Sequence, residues 1–214
     1  MVYRVTCVRS ICDNVGMFRR AGIIPYIKIG GIPHYFFMVD SKYGQLTDPG
    51  GRVNSEELWI DAAIREMAEE TRGIFDYREQ REDVIDSGIA VWSAEKGTIL
   101  VFLKIHNEDP YGLCTRYRVD FVEGVKRGES RQRLENSMMM CISHSDLQAL
   151  ASFPNRPGEE DFERIYDESL QPMPLIMSLL VSMSHGRPIQ TYPHIYAPVR
   201  SAVRKCHQKM LLVL

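Results

Sequence analysis

Apolar runs in the first third of the chain predict β-strands. Segment 23–29 is almost wholly apolar and ends at Gly30-Gly31, and segment 34–40 is rich in aromatic residues before the turn-like segment 41–44. Runs of this kind, bounded by glycine and polar residues, are typical of strands. We predict a hairpin from these two segments. Further strands are predicted over 84–92, 98–106 and 138–142.

Segment 58–71 has the period of an amphipathic helix. Its apolar residues recur at steps of three and four, which places them on one stripe. Asn54 with Glu57 is predicted to cap the start of this helix, and Gly73 its end. Another helix is predicted from an N-cap at Ser143 or Ser145 through Leu150.

Two prolines and a glycine in segment 153–158 predict a domain boundary. We therefore expect a first domain over 1–153 and a helical C-terminal extension over 154–214 that packs on it. Within the extension, helices are predicted over 159–170 and 175–183, followed by a basic amphipathic end. A lid or a homodimer surface is the leading interpretation of the extension, and substrate selection is the alternative.

Composition places the chain among ordinary globular proteins. Its 214 residues are 44% hydrophobic and 25% charged, with a formal net charge of −2. This small net charge does not indicate non-specific binding to nucleic acids or membranes, so any basic surface has to be local. Positions 116–133 hold six cations against three acids, and this cluster is either a polyanion-binding loop or a helix laced with ion pairs. The six candidate substrate-binding cations are Arg116, Arg118, Lys126, Arg127, Arg131 and Arg133.

The cysteines indicate a reducing, cytoplasmic location. There are five, an odd number, and they are scattered; the N-terminus has no signal-peptide pattern. No Cys and His spacing supports a zinc site. The longest apolar stretch, 175–183, is far shorter than the roughly 20 residues that span a bilayer, so no membrane segment is expected.

The predicted helix over 58–71 carries three carboxylates on one edge. At 100° per residue, Glu66, Glu69 and Glu70 fall within an arc of about 100°. Like charges at these spacings cost about 0.2–0.5 kcal/mol per pair in an isolated helix. A hard divalent cation such as Mg²⁺ or Mn²⁺ would offset this repulsion, and Arg65 could brace a carboxylate. The alternative is a solvated acidic face.

Segment 51–74 resembles the Nudix box, G-x5-E-x7-R-E-U-x-E-E-x-G-U, in which U is a bulky aliphatic residue. The matching charged and glycine positions are Gly51, Glu57, Arg65, Glu66, Glu69 and Glu70. The chain departs from the pattern at the end, where Thr71 and Arg72 both precede Gly73. We interpret this as one added residue in the last turn or C-cap of the helix.

The resemblance implies an α/β fold, a Nudix-type α/β/α sandwich around a mixed sheet. It also implies a metal-dependent pyrophosphohydrolase that cleaves a nucleoside diphosphate linked to a further moiety into a nucleoside monophosphate and a phosphorylated moiety. Glu66, Glu69 and Glu70 would bind Mg²⁺ or Mn²⁺, with the carbonyl of Gly50 or Gly51 as an extra ligand. Arg65 would orient a glutamate in the catalytic site.

The resemblance also assigns Glu57 a supporting role at the junction of loop and helix. Glu66 is the first candidate for the general base. A glutamate from a later loop is the alternative, and the chain offers Glu108, Glu123, Glu129 and Glu135.

The substrate stays open at this stage. A small-molecule diphosphate is the leading interpretation, and an mRNA-decapping enzyme acting on a capped RNA end is the alternative. An inositol pyrophosphate would also suit a phosphate-binding loop. Two non-enzymatic alternatives remain: a catalytically silent nucleotide-binding module, and a helical interaction protein whose acidic face only aids solubility.

Overall fold

The computed structural model describes residues 4–13, 16–41, 46–106 and 109–144. Eight strands and three α-helices are formed there, together with a 3₁₀ turn at Val8–Ser10. The strands are β1 Arg4–Cys7, β2 Arg20–Ile29, β3 Ile32–Asp40, β4 Leu46–Thr47, β5 Gly50–Arg52, β6 Ile89–Ser93, β7 Thr98–Lys104 and β8 Asn136–Ser143. The helices are α1 Trp59–Glu70, α2 Arg81–Ser87 and α3 Pro110–Arg127.

The strands form one mixed sheet. Strand order is β1-β6-β7-β2-β3-β4, with β5 paired to β2 and β8 paired to β3. Only β2 and β7 run parallel; the other described pairs are antiparallel. The predicted α/β class with a mixed sheet is therefore confirmed.

The hairpin of β2 and β3 opens away from its turn. The two strands pair only near the turn, from Tyr26 with Tyr35 to Ile29 with Ile32. Beyond that, β5 pairs with the start of β2 and β4 with the end of β3. The short connection between β4 and β5 therefore lies where the sheet opens, and α1 packs against β2 and β5 there.

Both faces of the sheet are buried, as the middle layer of a sandwich requires. The apolar stripe of α1 joins Phe36 and Met38 in one cluster, with Val84 of α2 and Tyr117 of α3. Tyr35, Phe37 and Phe102 point to the other face, where they too are almost fully buried. Burial of this much apolar surface accounts for the stability of the sheet without metals or disulfides.

The prediction of a strand over 84–92 was wrong in its first half. Residues 81–87 form α2, and β6 begins only at Ile89. Val84 and Ile85 are buried in the main cluster, so tertiary packing decides the conformation of a short apolar run that has no clear period of its own. The predicted strand over 34–40 and the strand over 138–142 are confirmed within longer strands.

Residues 116–127 of the basic cluster belong to α3, so the helical interpretation holds over this part. Asp109 caps this helix by accepting a hydrogen bond from the backbone N–H of Gly112 at 2.8 Å. Asn54 and Glu57, in contrast, close a turn before α1, whose N-cap residue is Leu58 with no side-chain hydrogen bond.

Two predictions concern residues outside the described ranges: the helix through Leu150 and the extension over 154–214 with its lid or dimer surface. No described helix is both long enough and apolar enough to cross a bilayer.

Candidate functional site

Arg65 of α1 is the centre of the acidic edge. Its guanidinium forms a bidentate contact with Glu57, at 2.8 Å from Nε to Oε1 and 3.0 Å from Nη2 to Oε2. Nη1 also donates to Glu66 Oε1 at 2.7 Å and to Glu69 Oε2 at 3.4 Å. The same guanidinium lowers the pKa of Glu57, chiefly by its hydrogen bonds. Glu57 and Glu66 are thereby fixed on either side of one cation.

Glu66 lies against the backbone of β5. A methyl group added at Gly51 would come within 2.6 Å of Glu66 Oε1, so only glycine leaves room for this carboxylate. Burial raises the pKa of Glu66, and Arg65 partly opposes that shift. Gly51 thus allows the partly buried carboxylate of Glu66 to lie close to the backbone of β5.

Glu70 is the most deeply placed of the three glutamates. Its Oε2 accepts hydrogen bonds from the backbone N–H of Gly50 and from Asn136 Nδ2, both at 3.2 Å. Burial raises the pKa of Glu70 well above its ordinary value, and the negative charge of Asp48 adds to the shift. The Oδ1 atom of Asn136 is buried and has no hydrogen-bond partner within the described part of the chain.

A second guanidinium supports this region from β2. Arg20 donates to both carboxylate oxygens of the buried Asp48, at 2.8 and 3.0 Å, and to the carbonyl of Gly50 at 2.8 Å. A cation bound by the Gly50 carbonyl would therefore share that oxygen with Arg20. The role of the Gly50 or Gly51 carbonyl as a ligand stays a prediction.

Glu66, Glu69 and Glu70 line one cavity of about 480 Å³. A fourth acid, Glu135, comes from the loop between α3 and β8, and Arg133 and Gln132 of that loop line the cavity too. Arg72 and Arg78 contribute from the region after α1. The cavity therefore combines clustered carboxylates with cations.

The six cations predicted to bind substrate do not converge on this cavity. Arg118 donates to the carbonyl of Ser137, Lys126 pairs with Glu123, and Arg127 pairs with Glu129. Among the six, Arg133 is the one that lines the cavity. Its guanidinium has no hydrogen-bond or ion-pair partner in the described ranges, nor do those of Arg116 and Arg131.

The four later glutamates proposed as alternative bases do not all lie at the cavity either. Glu123 pairs with Lys126, Glu129 pairs with Arg72 and Arg127, and Glu108 lies outside the described residues. Glu135 alone of the described three lines the cavity.

The end of α1 has a Schellman geometry with an arginine in the usual glycine position. Gly73 N–H donates to the carbonyl of Ala68 and Arg72 N–H to that of Glu69, and Arg72 has a left-handed φ of 55°. Thr71 is the C-cap residue of α1, so both residues that precede the terminal Ile74 of the box, Arg72 and Gly73, lie beyond the helix. Arg72 stands where the E-E-x-G spacing of the box would place glycine. The interpretation of one added residue stays a prediction.

The donor set fits a hard divalent cation. In the described part of the chain, no three acidic, histidine or cysteine side chains already converge as a closed cation site. Mg²⁺ does not require such a cage, because it commonly keeps several waters and uses one or two carboxylates with substrate phosphates. Glu66, Glu69 and Glu70 supply carboxylate oxygens to one cavity, and the unpaired buried Oδ1 of Asn136 is a further hard oxygen beside Glu70.

No protein-family model matches the chain, and no curated protein matches it significantly. Among solved structures, the chain is similar to a C. elegans Ap4A hydrolase binary complex, with 20% identity, a TM-score of 0.40, and coverage of 68% of this chain and 90% of that one. A second C. elegans Ap4A hydrolase structure has 25% identity and a TM-score of 0.32, and covers 42% of this chain and 69% of its own. These likenesses are distant, so the chemistry of the site has to follow from its own side chains.

Sequence reasoning missed Arg20, Asp48, Arg72 and Asn136. The position of Asp48 beside Pro49 and Gly50, just before the box, was an available signal. Arg20, Arg72 and Asn136 reach the site through contacts between distant parts of the chain, and local spacing carries no sign of them.

We expect Glu70→Gln to stabilise the metal-free protein at neutral pH. Some carboxyl groups have a higher pKa in the folded state than in the unfolded state. Such a group stabilises the fold fully only at pH values below its unfolded-state pKa, and this contribution is lost as the pH rises through its folded-state pKa. Glutamine stays neutral and can still accept both hydrogen bonds. The melting temperature should rise by several degrees at neutral pH, where 1 kcal/mol corresponds to about 2–4 °C, and the gain should shrink toward acidic pH.

The control is Glu69→Gln, because the Glu69 side chain is 52% exposed. Its effect should stay within about 0.5 kcal/mol. A Glu70→Gln variant less stable than the unmodified chain at neutral pH without metal would contradict the electrostatic account.

Proposed function

We propose that the chain is a metal-dependent pyrophosphohydrolase of the Nudix type, acting on a nucleoside diphosphate linked to a further moiety. One observation carries the proposal: the three glutamates of the box line one cavity, and Arg65 and Glu57 brace their edge. Like charges this close, partly removed from water, raise the free energy of the fold unless a ligand compensates them. A site that binds cations and phosphates explains why such a cluster would be kept.

Glu66, Glu69 and Glu70 would hold Mg²⁺ or Mn²⁺. Bound there, the cation would neutralise the charge of a diphosphate and lower the pKa of a coordinated water. Arg65 holds Glu66 in one orientation through the 2.7 Å contact, and Glu57 anchors the guanidinium from its other side. The hydrogen bonds from Gly50 and Asn136 orient Glu70 before a ligand arrives. The protein thus contributes preorganised oxygens.

Glu135 is the better-supported candidate for the general base. Its carboxylate lines the cavity and has no hydrogen-bond or ion-pair partner within the described ranges. Glu66, the first candidate from the sequence, is already hydrogen-bonded to Arg65, so part of its carboxylate is not available to accept a proton from water. A base within reach of the attacking water would accept its proton as the bond to phosphorus forms.

The cavity favours a small-molecule diphosphate over a capped RNA. Its volume of about 480 Å³ lies within the range of ordinary ligand sites, about 300–1,000 Å³. Arg133 can contact a phosphate oxygen there, because its guanidinium has no partner among the described residues. Three of the other five predicted cations, Arg118, Lys126 and Arg127, already contact protein oxygens, which makes them less available to the phosphates of an RNA chain.

A substrate panel tests the proposal. With Mg²⁺ or Mn²⁺, the chain should hydrolyse the P–O–P linkage of at least one member of a panel of dinucleoside polyphosphates, nucleotide sugars, nucleoside triphosphates, capped RNA and inositol pyrophosphates. The products are identified in each case, and a nucleoside monophosphate is expected from the nucleotide substrates. Glu69→Gln should lower kcat at least a hundredfold while leaving the melting temperature nearly unchanged, because this side chain is half-exposed.

The panel also separates the alternatives. Preferential cleavage of capped RNA would favour the decapping enzyme, and nucleotide affinity without metal-stimulated cleavage would favour the silent binding module. A chain that neither cleaves nor binds any member of the panel would overturn the proposal.

A second test concerns the base. Glu135→Gln should lower kcat by about 10²–10⁴-fold, because the attacking water would lose its proton acceptor. Glu95→Gln, which removes an exposed carboxylate outside the cavity lining, should change kcat less than twofold. A Glu135→Gln variant whose kcat also changes less than twofold would contradict the assignment of the base to Glu135.

A further inference from the structure

Arg72 occupies a backbone position that disfavours any side chain. Its φ of 55° lies in the left-handed region, where helices commonly place glycine at this point of the C-cap. A non-glycine residue there is strained, because its Cβ lies too close to the backbone. Gly73 follows directly, so a small shift in sequence would have put glycine at the strained position. The arginine side chain therefore has to compensate for this strain.

The side chain of Arg72 ties three separate segments together. It is only 8% exposed and pairs with Asp120 of α3 and, at 2.7 Å, with Glu129 just after that helix. Nη1 also donates to the backbone carbonyl of Arg133 at 2.7 Å. Charge-assisted contacts of this kind are among the stronger hydrogen bonds in proteins, and the planar guanidinium can make all of them at once.

Helix α3 leaves space for the contact between Arg72 and Glu129. Gly124 lies in the interior of the helix, where glycine is less favourable than alanine. A methyl group at this position would come within 2.6 Å of Glu129 Oε2 and 2.8 Å of Arg72 Nη2. Two local rules are thus broken at the same place, an arginine in a glycine position and a glycine inside a helix. Both exceptions serve the contact between Arg72 and Glu129.

The loop between α3 and β8, to which Arg72 is hydrogen-bonded, contributes charged side chains to the cavity. Residues 128–135, the α3–β8 loop, include Arg133 and Glu135, and both line the cavity shared by Glu66, Glu69 and Glu70. The hydrogen bond from Arg72 holds the loop at Arg133 itself. We propose that Arg72 is a positioning residue, which fixes the α3–β8 loop so that Arg133 and Glu135 face the carboxylates of α1. This inference rests on the function proposed above.

Three variants test the role. Arg72→Gly removes the tether while relieving the strained backbone, Arg72→Lys keeps one positive charge without the planar fork, and Gly124→Ala crowds the contact between Arg72 and Glu129 from the side of the helix. Arg81→Met is the matched control, because Arg81 also ties two elements together, through Asp61 of α1 at 2.6 Å, but does not line the cavity.

Loop position is measured without activity, by limited trypsin digestion followed by mass spectrometry of cleavage after Arg131 and Arg133. Arg72→Gly should increase the rate of cleavage there at least tenfold, Arg72→Lys and Gly124→Ala by smaller factors, and Arg81→Met less than twofold. Mn²⁺ affinity, measured by titration in the absence of substrate, should change less than threefold in all four variants, because the three glutamates of α1 stay in place.

Kinetics then identify what the loop contributes. Arg72→Gly should raise KM and lower kcat, each at least fivefold, because Arg133 and Glu135 are displaced together, and Arg72→Lys should restore part of both. Unchanged cleavage after Arg131 and Arg133 in Arg72→Gly would overturn the inference, as would full activity despite faster cleavage. An inactive unmodified chain with a protected loop would instead refute the proposed function and leave the tether supported by digestion alone.

Discussion

The burial of carboxylates on one edge of a helix is the constraint on which this site depends. Glu66, Glu69 and Glu70 are neighbours on α1, and burial raises the pKa values of Glu66 and Glu70. Arg65 and Arg20 offset part of the negative charge from within the protein. These contacts hold the carboxylates in fixed orientations without neutralising all of them. In the proposed function, the remaining charge would attract a cation and, through the cation, a phosphate.

The sheet is built so that α1 can bring those groups to one place. Strands β2 and β3 separate beyond their turn, and β5 pairs with β2 there, beside the C-terminal half of α1. Gly51 leaves space for Glu66, and Gly50 points its N–H at Glu70. The α3–β8 loop adds Arg133 and Glu135 from another part of the chain. Rigid elements thus supply the proposed cation ligands, and a loop supplies the groups proposed to act on the substrate.

The helix and its acidic edge could be predicted because they depend on spacing alone. The apolar stripe and the three glutamates are local features, and α1 places them as the 100° step requires. The conformation of Val84 and Ile85 could not be predicted, because their packing in the main cluster decides it. The same holds for Arg72, whose partners lie 48 and 57 residues away. Local sequence also could not separate Arg133 from the cations of α3, since that distinction depends on where the loop turns.

Anomalous diffraction at the manganese edge, from crystals grown with Mn²⁺ and a non-hydrolysable diphosphate, tests the central claim most directly. The account predicts a manganese peak within coordination distance of at least two of Glu66, Glu69 and Glu70, with diphosphate oxygens completing the shell. A cavity without a manganese peak, with all three carboxylates still bound only to protein groups and solvent, would contradict it.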